Sequence, residues 1–275
     1  MKLSPRGPVV TRADIERGLR QLDLPAIVEV HSSLSAFGWV EGGAEAVVDA
    51  LVAVFSTVMV PSFTYEAFAP VPKGVFIERN GLERGSRLPD EGRLTFHGDM
   101  PVSREIGIIP ETLRRRTGAV RSSHPTESFA AIGHGTRELV ATQTIDDPLA
   151  PIRALTDAGG WILMVGADLA GCTPIHLAES VAGRRLFIRW SMARDGTVFP
   201  VRVSGCSRGF GALEPVVAPI AREAKIGNAR VRAYPAGEFV RLVANAIRRN
   251  GEITMCASRC ARCVDVVAGG PITRA

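Results

Sequence analysis

The chain has 275 residues, a formal net charge of +5, 46% apolar residues and 6% aromatics; this is enough for a large core, and no run approaches the ~18 consecutive apolar residues of a membrane span. The basic excess is spread along the chain rather than gathered into a stripe with aromatics, which argues against a nucleic-acid partner. Met1-Lys2-Leu3-Ser4-Pro5-Arg6-Gly7-Pro8 carries charge but no apolar h-region, so no signal peptide is expected and cytoplasmic residence follows.

In chain order, a first helix is predicted at Arg12–Leu22. The apolar strand Ile27–Val30 then runs directly into His31-Ser32-Ser33-Leu34-Ser35-Ala36-Phe37-Gly38-Trp39-Val40-Glu41-Gly42-Gly43. After it, Ala46, Val47, Ala50, Leu51 and Val54 mark a helix over Ala44–Phe55. A strand, a Ser/Gly loop and a helix N-terminus present N–H groups and hydroxyls to an anion, as on a phosphate-bearing cofactor. The glycine spacing is neither that of a dinucleotide fingerprint nor that of a P-loop, and Glu41 argues against a phosphate seated on the helix dipole. The loop is therefore open to a neutral arm of a ligand as well.

A strand at Thr57–Val60 ends in Pro61-Ser62-Phe63-Thr64-Tyr65-Glu66. From Ala67 to Ser103 the chain has no sustained period and is dense in Gly, Pro, Arg and acids. A stretch of this length reads as a substrate-covering lid, with Glu66, Asp90, Glu91 and Asp99 as candidate ammonium receptors. A helix follows at Glu105–Arg116, whose terminal Arg114-Arg115-Arg116 complements the helix dipole. Next come a strand near Ser128–Ile132, a helix near Pro151–Asp157, the buried strand Trp161–Val165 and a helix over Pro174–Ala182. Leu186–Ala193 and Thr197–Ser204 flank Arg194-Asp195-Gly196, a hairpin signal. The tight loop Cys206–Gly211 leads to a helix at Glu214–Ala224, a strand at Ala229–Tyr234 and a last helix at Ala236–Arg249. The alternation of strands and helices, without internal repeat or linker, predicts an α/β fold. We expect a single three-layer α/β/α domain over residues 1–275 with a central mixed sheet, the irregular 67–103 insertion and a Cys-containing tail at 256–275.

His124 and His176 lie where apolar runs give way to small polar and titratable residues, as where a chain leaves a core to build a site. Thr173 can N-cap a helix that has Pro174 at its first position. On that helix His176 and Glu179, three residues apart, share a face, which makes a general base with an orienting carboxylate. Taken alone, the pair is as readily a packed histidine and a solvated helix acid.

Three blocks carry a resemblance: His31-Ser32-Ser33-Leu34-Ser35-x-x-Gly38-x-Val40-x-Gly42-Gly43, Arg121-Ser122-x-His124-Pro125-x-x-Ser128-Phe129-Ala130-Ala131-x-Gly133, and Thr173-x-x-His176-Leu177-Ala178-Glu179. In content and order they resemble the signature blocks of the aminoglycoside 3-N-acetyltransferase family, from about Thr11 to Glu179 and more weakly onward. The resemblance implies a single α/β domain that moves an acetyl group from acetyl-coenzyme A to an amine of a deoxystreptamine antibiotic, and so confers resistance. It implies His176, Glu179, His31 and Thr173 as catalytic residues. The cofactor side would be His31, Ser32, Ser33, Leu34, Ser35, Phe37, Gly38, Arg121, Ser122 and His124. Tyr65, Glu66, Asp99 and Asp168 are the candidates for the cationic substrate. Small-molecule partners are expected, on a monomer or homodimer, with no nucleic acid and no membrane. The oxyanion would be met by Ser32, Ser33 and the Thr173 hydroxyl.

The chain departs from the family pattern at Ala170-Gly171-Cys172, where an acid is usual, and at Asp147-Pro148-Leu149-Ala150-Pro151, where Gly-x-x-Ser-Pro is usual. Both departures bear on the acceptor and on part of the cofactor contact. The alternatives are an acetyltransferase of a different amine, with Cys172 near a helix N-terminus as a rival acyl-enzyme nucleophile, and, outside enzymes, a non-catalytic coenzyme A-binding or metal-binding protein.

The five cysteines, at 172, 206, 256, 260 and 263, do not make a disulfide framework. Cys256-x3-Cys260-x2-Cys263 has metal-like spacing, yet only three thiols are close, and a fourth ligand would have to be Cys206 or a distant histidine. The tail is read as packing against the body, and no metal is expected.

Overall fold

A computed structural model describes residues 9–82 and 94–273. The expectations for Met1–Pro8, Asp90 and Glu91 lie outside the described residues. In chain order the strands are β1 (Val9–Val10), β2 (Ile27–Ser32), β3 (Trp39–Val40), β4 (Thr57–Pro61), β5 (Val120–Arg121), β6 (Phe129–Gly133), β7 (Trp161–Val165), β8 (Phe187–Met192), β9 (Val198–Val203), β10 (Arg222–Ile226) and β11 (Ala229–Pro235). The helices are α1 (Arg12–Gln21), α2 (Gly43–Val54), α3 (Ile108–Arg114), α4 (Thr136–Ala141), α5 (Ala150–Asp157), α6 (Pro174–Val181), α7 (Glu214–Val217), α8 (Ala236–Arg249) and α9 (Ala261–Val267).

Seven strands form a mixed sheet in the order β10-β11-β7-β2-β4-β6-β5. β2 is parallel to both β7 and β4, while β11, β6, β5 and β10 pair antiparallel. β7 is apolar throughout, Trp-Ile-Leu-Met-Val, because both of its faces are covered. On one face Val28 and Val30 of β2 pack with Val47 and Leu51 of α2 and with Ile15 and Leu19 of α1. On the other, Ile162 and Met164 of β7 meet Ile175 of α6 and Phe239 and Val243 of α8. The result is the expected three-layer α/β/α arrangement. α8 buries Phe239, Val240, Val243, Ala244 and Ile247, one helical stripe, and ends in Arg248-Arg249 against its C-terminal dipole.

The hairpin β8–β9 stands outside this sheet. Phe187, Val201 and Val203 pack on Val266 of α9, while Ile188 and Trp190 pack on Ala69 with Val71 and Ile77 beside them. The described part of the 67–103 stretch is accordingly no free lid. Asn80 is buried and exchanges hydrogen bonds with the backbone of Ile188, at 2.9 Å to its carbonyl and 2.8 Å from its N–H.

Several boundaries differ from expectation for local reasons. The helix expected at Glu105–Arg116 begins only at Ile108, after Gly107 at φ 106°. The helix expected over Glu214–Ala224 stops at Val217, continues as a 3-10 turn containing Pro219, and gives way to β10, which pairs with β11. The region read as a tail contains α9. Among the described residues no helix is long and apolar enough to cross a membrane.

Candidate active site

At the C-terminal ends of the parallel strands β2, β4 and β7, the 31–33, 61–65 and 166–173 segments open a cleft of about 830 Å³. α6, the loop after β9 and Arg262 of α9 complete its walls. Of the residues singled out in the sequence, His31, Ser32, Ser33, Tyr65, Asp168, Thr173 and His176 line this cleft.

His176 is buried on α6, and its Nδ1 lies 2.7 Å from Glu179 Oε2. Against a carboxylate oxygen Nδ1 carries the hydrogen, which leaves the Nε2 lone pair for the cleft. Glu179 Oε1 accepts from Arg184 Nη1 at 2.6 Å, and the same guanidinium donates to Thr254 Oγ1 at 2.7 Å and to the Gly251 carbonyl. Phe210 meets the His176 ring edge-on, with centroids 4.9 Å apart. The base thus has an orienting acid, a counter-ion behind the acid and an aromatic wall, all buried. Thr173 does not cap α6 through its side chain; Asp168 instead accepts from the Ala170 N–H at 3.0 Å and caps the 3-10 turn before it. This leaves the Thr173 hydroxyl, on the cleft wall, without a protein hydrogen bond among the described residues.

His31 forms a second dyad. Its Nε2 is 3.1 Å from Oε1 of Glu29, a fully buried carboxylate whose other oxygen has no partner among the described residues. Residues 29 and 31 of one strand share a face. Glu29 was not singled out in the sequence, although a charge inside Ile27-Val28-Glu29-Val30 is the signal that could have found it.

Glu127, like Arg184 and Phe210, is a site residue not singled out in the sequence. It lines the cleft near His176, and its carboxylate accepts from the Ser204 N–H at 2.8 Å and hydroxyl at 2.9 Å. Burial pushes its pKa up, against the opposing pull of Ser204 and the charge of His176. Its signal was a carboxylate placed between His124-Pro125 and Ser128. Glu105 joins Glu127 and Asp168 as the acids of the cleft lining, which also carries Arg189, Arg208 and Arg262.

The remaining expected residues lie outside the cleft lining. His124 donates from Nε2 to the Arg202 carbonyl at 3.0 Å and accepts at Nδ1 from the N–H groups of Thr126 and Glu127; burial lowers its pKa to about 4. Arg121 donates to Ser128 Oγ, Thr64 Oγ1 and the carbonyls of Ser62, Gly98 and Met100, which staples the 98–100 segment to the sheet edge. Ser122 bonds Gln143 and the Phe129 backbone. Leu34–Phe37 is a 3-10 turn with Phe37 in the core, and Gly38 faces Asn228. Glu66 accepts from Ser103 Oγ at 2.6 Å, and Asp99 is exposed; neither lines the cleft. Cys172 borders the cleft but is buried, and desolvation pushes its thiol pKa well above the ordinary value, the wrong direction for a nucleophile.

The aminoglycoside 3-N-acetyltransferase family model matches residues 30–248. The chain is 30% identical over 277 aligned positions to aminoglycoside N(3)-acetyltransferase VIII of Streptomyces fradiae, with 86% of this chain and 91% of that one covered. It is 37% identical to aminoglycoside N(3)-acetyltransferase VII of Streptomyces paromomycinus over 64% of this chain and 62% of that one. In structure it is similar to the acetyltransferase AAC-VIa bound to sisomicin, with TM-score 0.69 and 25% identity over 88% of this chain and 98% of that one.

Proposed function

The chain belongs to the aminoglycoside 3-N-acetyltransferase family, and from that premise we propose that it transfers an acetyl group from acetyl-coenzyme A to the 3-N amine of a 2-deoxystreptamine aminoglycoside. The reaction would run in the cytoplasm and protect the cell from the antibiotic. The observation that carries this reading is the buried Arg184–Glu179–His176 relay opening onto an 830 Å³ cleft. The sisomicin complex of AAC-VIa supports the choice of acceptor class.

In this reading the acceptor amine enters as an ammonium and meets Asp168, Glu127 and Glu105. His176 Nε2 removes a proton as the amine attacks the thioester carbon; Glu179 stabilises the imidazolium that forms, and Arg184 keeps that carboxylate in place. Thr173 and the 32–33 segment, which line the same cleft, would donate to the tetrahedral oxyanion. The C–S bond then breaks, and the coenzyme A thiolate takes the second proton from the amine nitrogen as it leaves, giving the amide, the free thiol and one proton that His176 releases to solvent.

A positioned base contributes roughly 10²–10⁴ in rate. The test is thiol release from acetyl-coenzyme A with a panel of deoxystreptamine aminoglycosides, comparing wild type with His176→Ala. Release that needs both an aminoglycoside and His176 supports the reading; no release with any panel member, while coenzyme A still binds, moves the acceptor to another amine. Cys172→Ser separates direct transfer from an acyl-enzyme route, because direct transfer survives it.

A further inference from the structure

The three C-terminal cysteines converge with a fourth from the body of the fold. Cys206 of the loop after β9, Cys256 and Cys260 of the turn before α9, and Cys263 of α9 bring their four Sγ atoms within 4.8 Å of one another. Cys256 and Cys260 are 3.7 Å apart at sulfur, far from the ~2.05 Å of a disulfide. Four sulfurs at ~2.3 Å from a central zinc ion, arranged tetrahedrally, stand ~3.8 Å from one another. The cluster is already close to that geometry.

We propose that Cys206, Cys256, Cys260 and Cys263 hold one zinc ion as a structural tetrathiolate site. The surroundings fit a doubly negative ZnS₄ centre. The Cys256 N–H donates to Cys263 Sγ at 3.3 Å, Ser258 Oγ lies 3.1 Å from Cys256 Sγ, and the Arg208 guanidinium lies in hydrogen-bonding reach of the sulfurs of Cys206 and Cys260. Arg259, just before Cys260, takes φ 45°, and its N–H donates to the Cys256 carbonyl at 2.8 Å, a tight turn that aims two sulfurs inward. Three of the cysteines are buried and Cys260 is partly so, which suits a closed site. Each thiol still protonated gives up its proton as the ion binds. The expectation of no metal rested on three neighbouring thiols; the fold supplies the fourth from β9's loop.

This ion would also fix one wall of the cleft. Cys206 sits between Ser204, which holds the Glu127 carboxylate, and Phe210, which packs on His176. Arg262, between two of the ligands, donates to the carbonyls of Ser204 and Gly205.

The test measures zinc by mass spectrometry in wild type, Cys263→Ser and Cys172→Ser, all purified under reducing conditions without chelator and gel-filtered after incubation with zinc. We expect about one zinc per chain in wild type and Cys172→Ser and at least about tenfold less in Cys263→Ser, with the wild-type Tm falling by more than about 5 °C on chelation. Should Cys263→Ser fail to fold, cobalt added to chelator-stripped wild type decides through the visible bands of a tetrahedral tetrathiolate. Wild type holding under about a tenth of a zinc per chain, iron in place of zinc, or a cobalt spectrum without thiolate charge transfer overturns the proposal.

Discussion

His176 Nδ1 and Glu179 Oε2 are 2.7 Å apart, and this bond decides which ring nitrogen meets the substrate. Glu179 is in turn shared with Arg184, so a buried acid stands between two bases. Replacing Arg184 by Met leaves that carboxylate without its permanent cation. We expect Arg184→Met to lose about 3–5 kcal/mol in denaturant unfolding and to lower kcat in parallel. A variant within about 1 kcal/mol of wild type would show that the arginine is only a spectator.

Glu127→Gln separates binding from stability. A carboxyl whose pKa is raised in the folded state loses folded-state stability as pH climbs above its ordinary range, because the native protein must then give up a proton it holds more tightly. Gln keeps an acceptor for the Ser204 N–H, turns its amide N–H toward Ser204 Oγ as acceptor, and removes that penalty. Melts at neutral pH should therefore rise, while KM for a polycationic aminoglycoside increases by about tenfold and KM for acetyl-coenzyme A stays level. Equal effects on both KM values would remove Glu127 from the acceptor side.

His124 gives the opposite slope. With its pKa lowered from 6.5 to about 4, the folded state excludes a proton that the unfolded chain binds. The resulting stability is present above 6.5 and is lost as pH falls toward 4, by about 3 kcal/mol in all. His124→Gln, which can still donate to the Arg202 carbonyl, should flatten the unfolding free energy across that window. An unchanged acid limb would assign the loss to other groups.

A Cβ on Gly209 would lie 2.3 Å from the Thr254 carbonyl oxygen and 2.6 Å from the Met255 carbonyl. Its backbone φ of −91° is ordinary, so the demand is for space alone. Gly209→Ala should cost about 1–3 kcal/mol and slow the reaction, since Phe210 beside it walls His176. Urea unfolding within about 0.5 kcal/mol of wild type would mean that the loop yields freely.

Local pattern made the central elements legible. Trp161–Val165 and Ala236–Arg249 are strand and helix over those same residues, because a run of buried apolar side chains and a helical stripe each leave one reading. The His176–Glu179 pair was legible because helical spacing alone brings the two together. Long-range geometry was not. Arg121 has four hydrogen bonds to the 62–64 and 98–100 segments that no local pattern announces, and the partnership of Cys206 with the 256–263 cysteines depends on β9 folding back beside α9. Glu214–Ala224 reads as a helix only while β10 has no partner; the Gly227-Asn228 turn supplies β11.

Ser204 joins Glu127 across 77 positions of sequence, and Arg262 joins Ser204 across a further 58. Ser204 follows the β8–β9 hairpin and Arg262 belongs to α9, both outside the seven-stranded sheet, so the sheet can pair without either contact. On this arrangement catalytic competence is expected to follow sheet formation in folding and to be lost early on partial opening. Activity measured during refolding should lag behind the recovery of helix and strand signal.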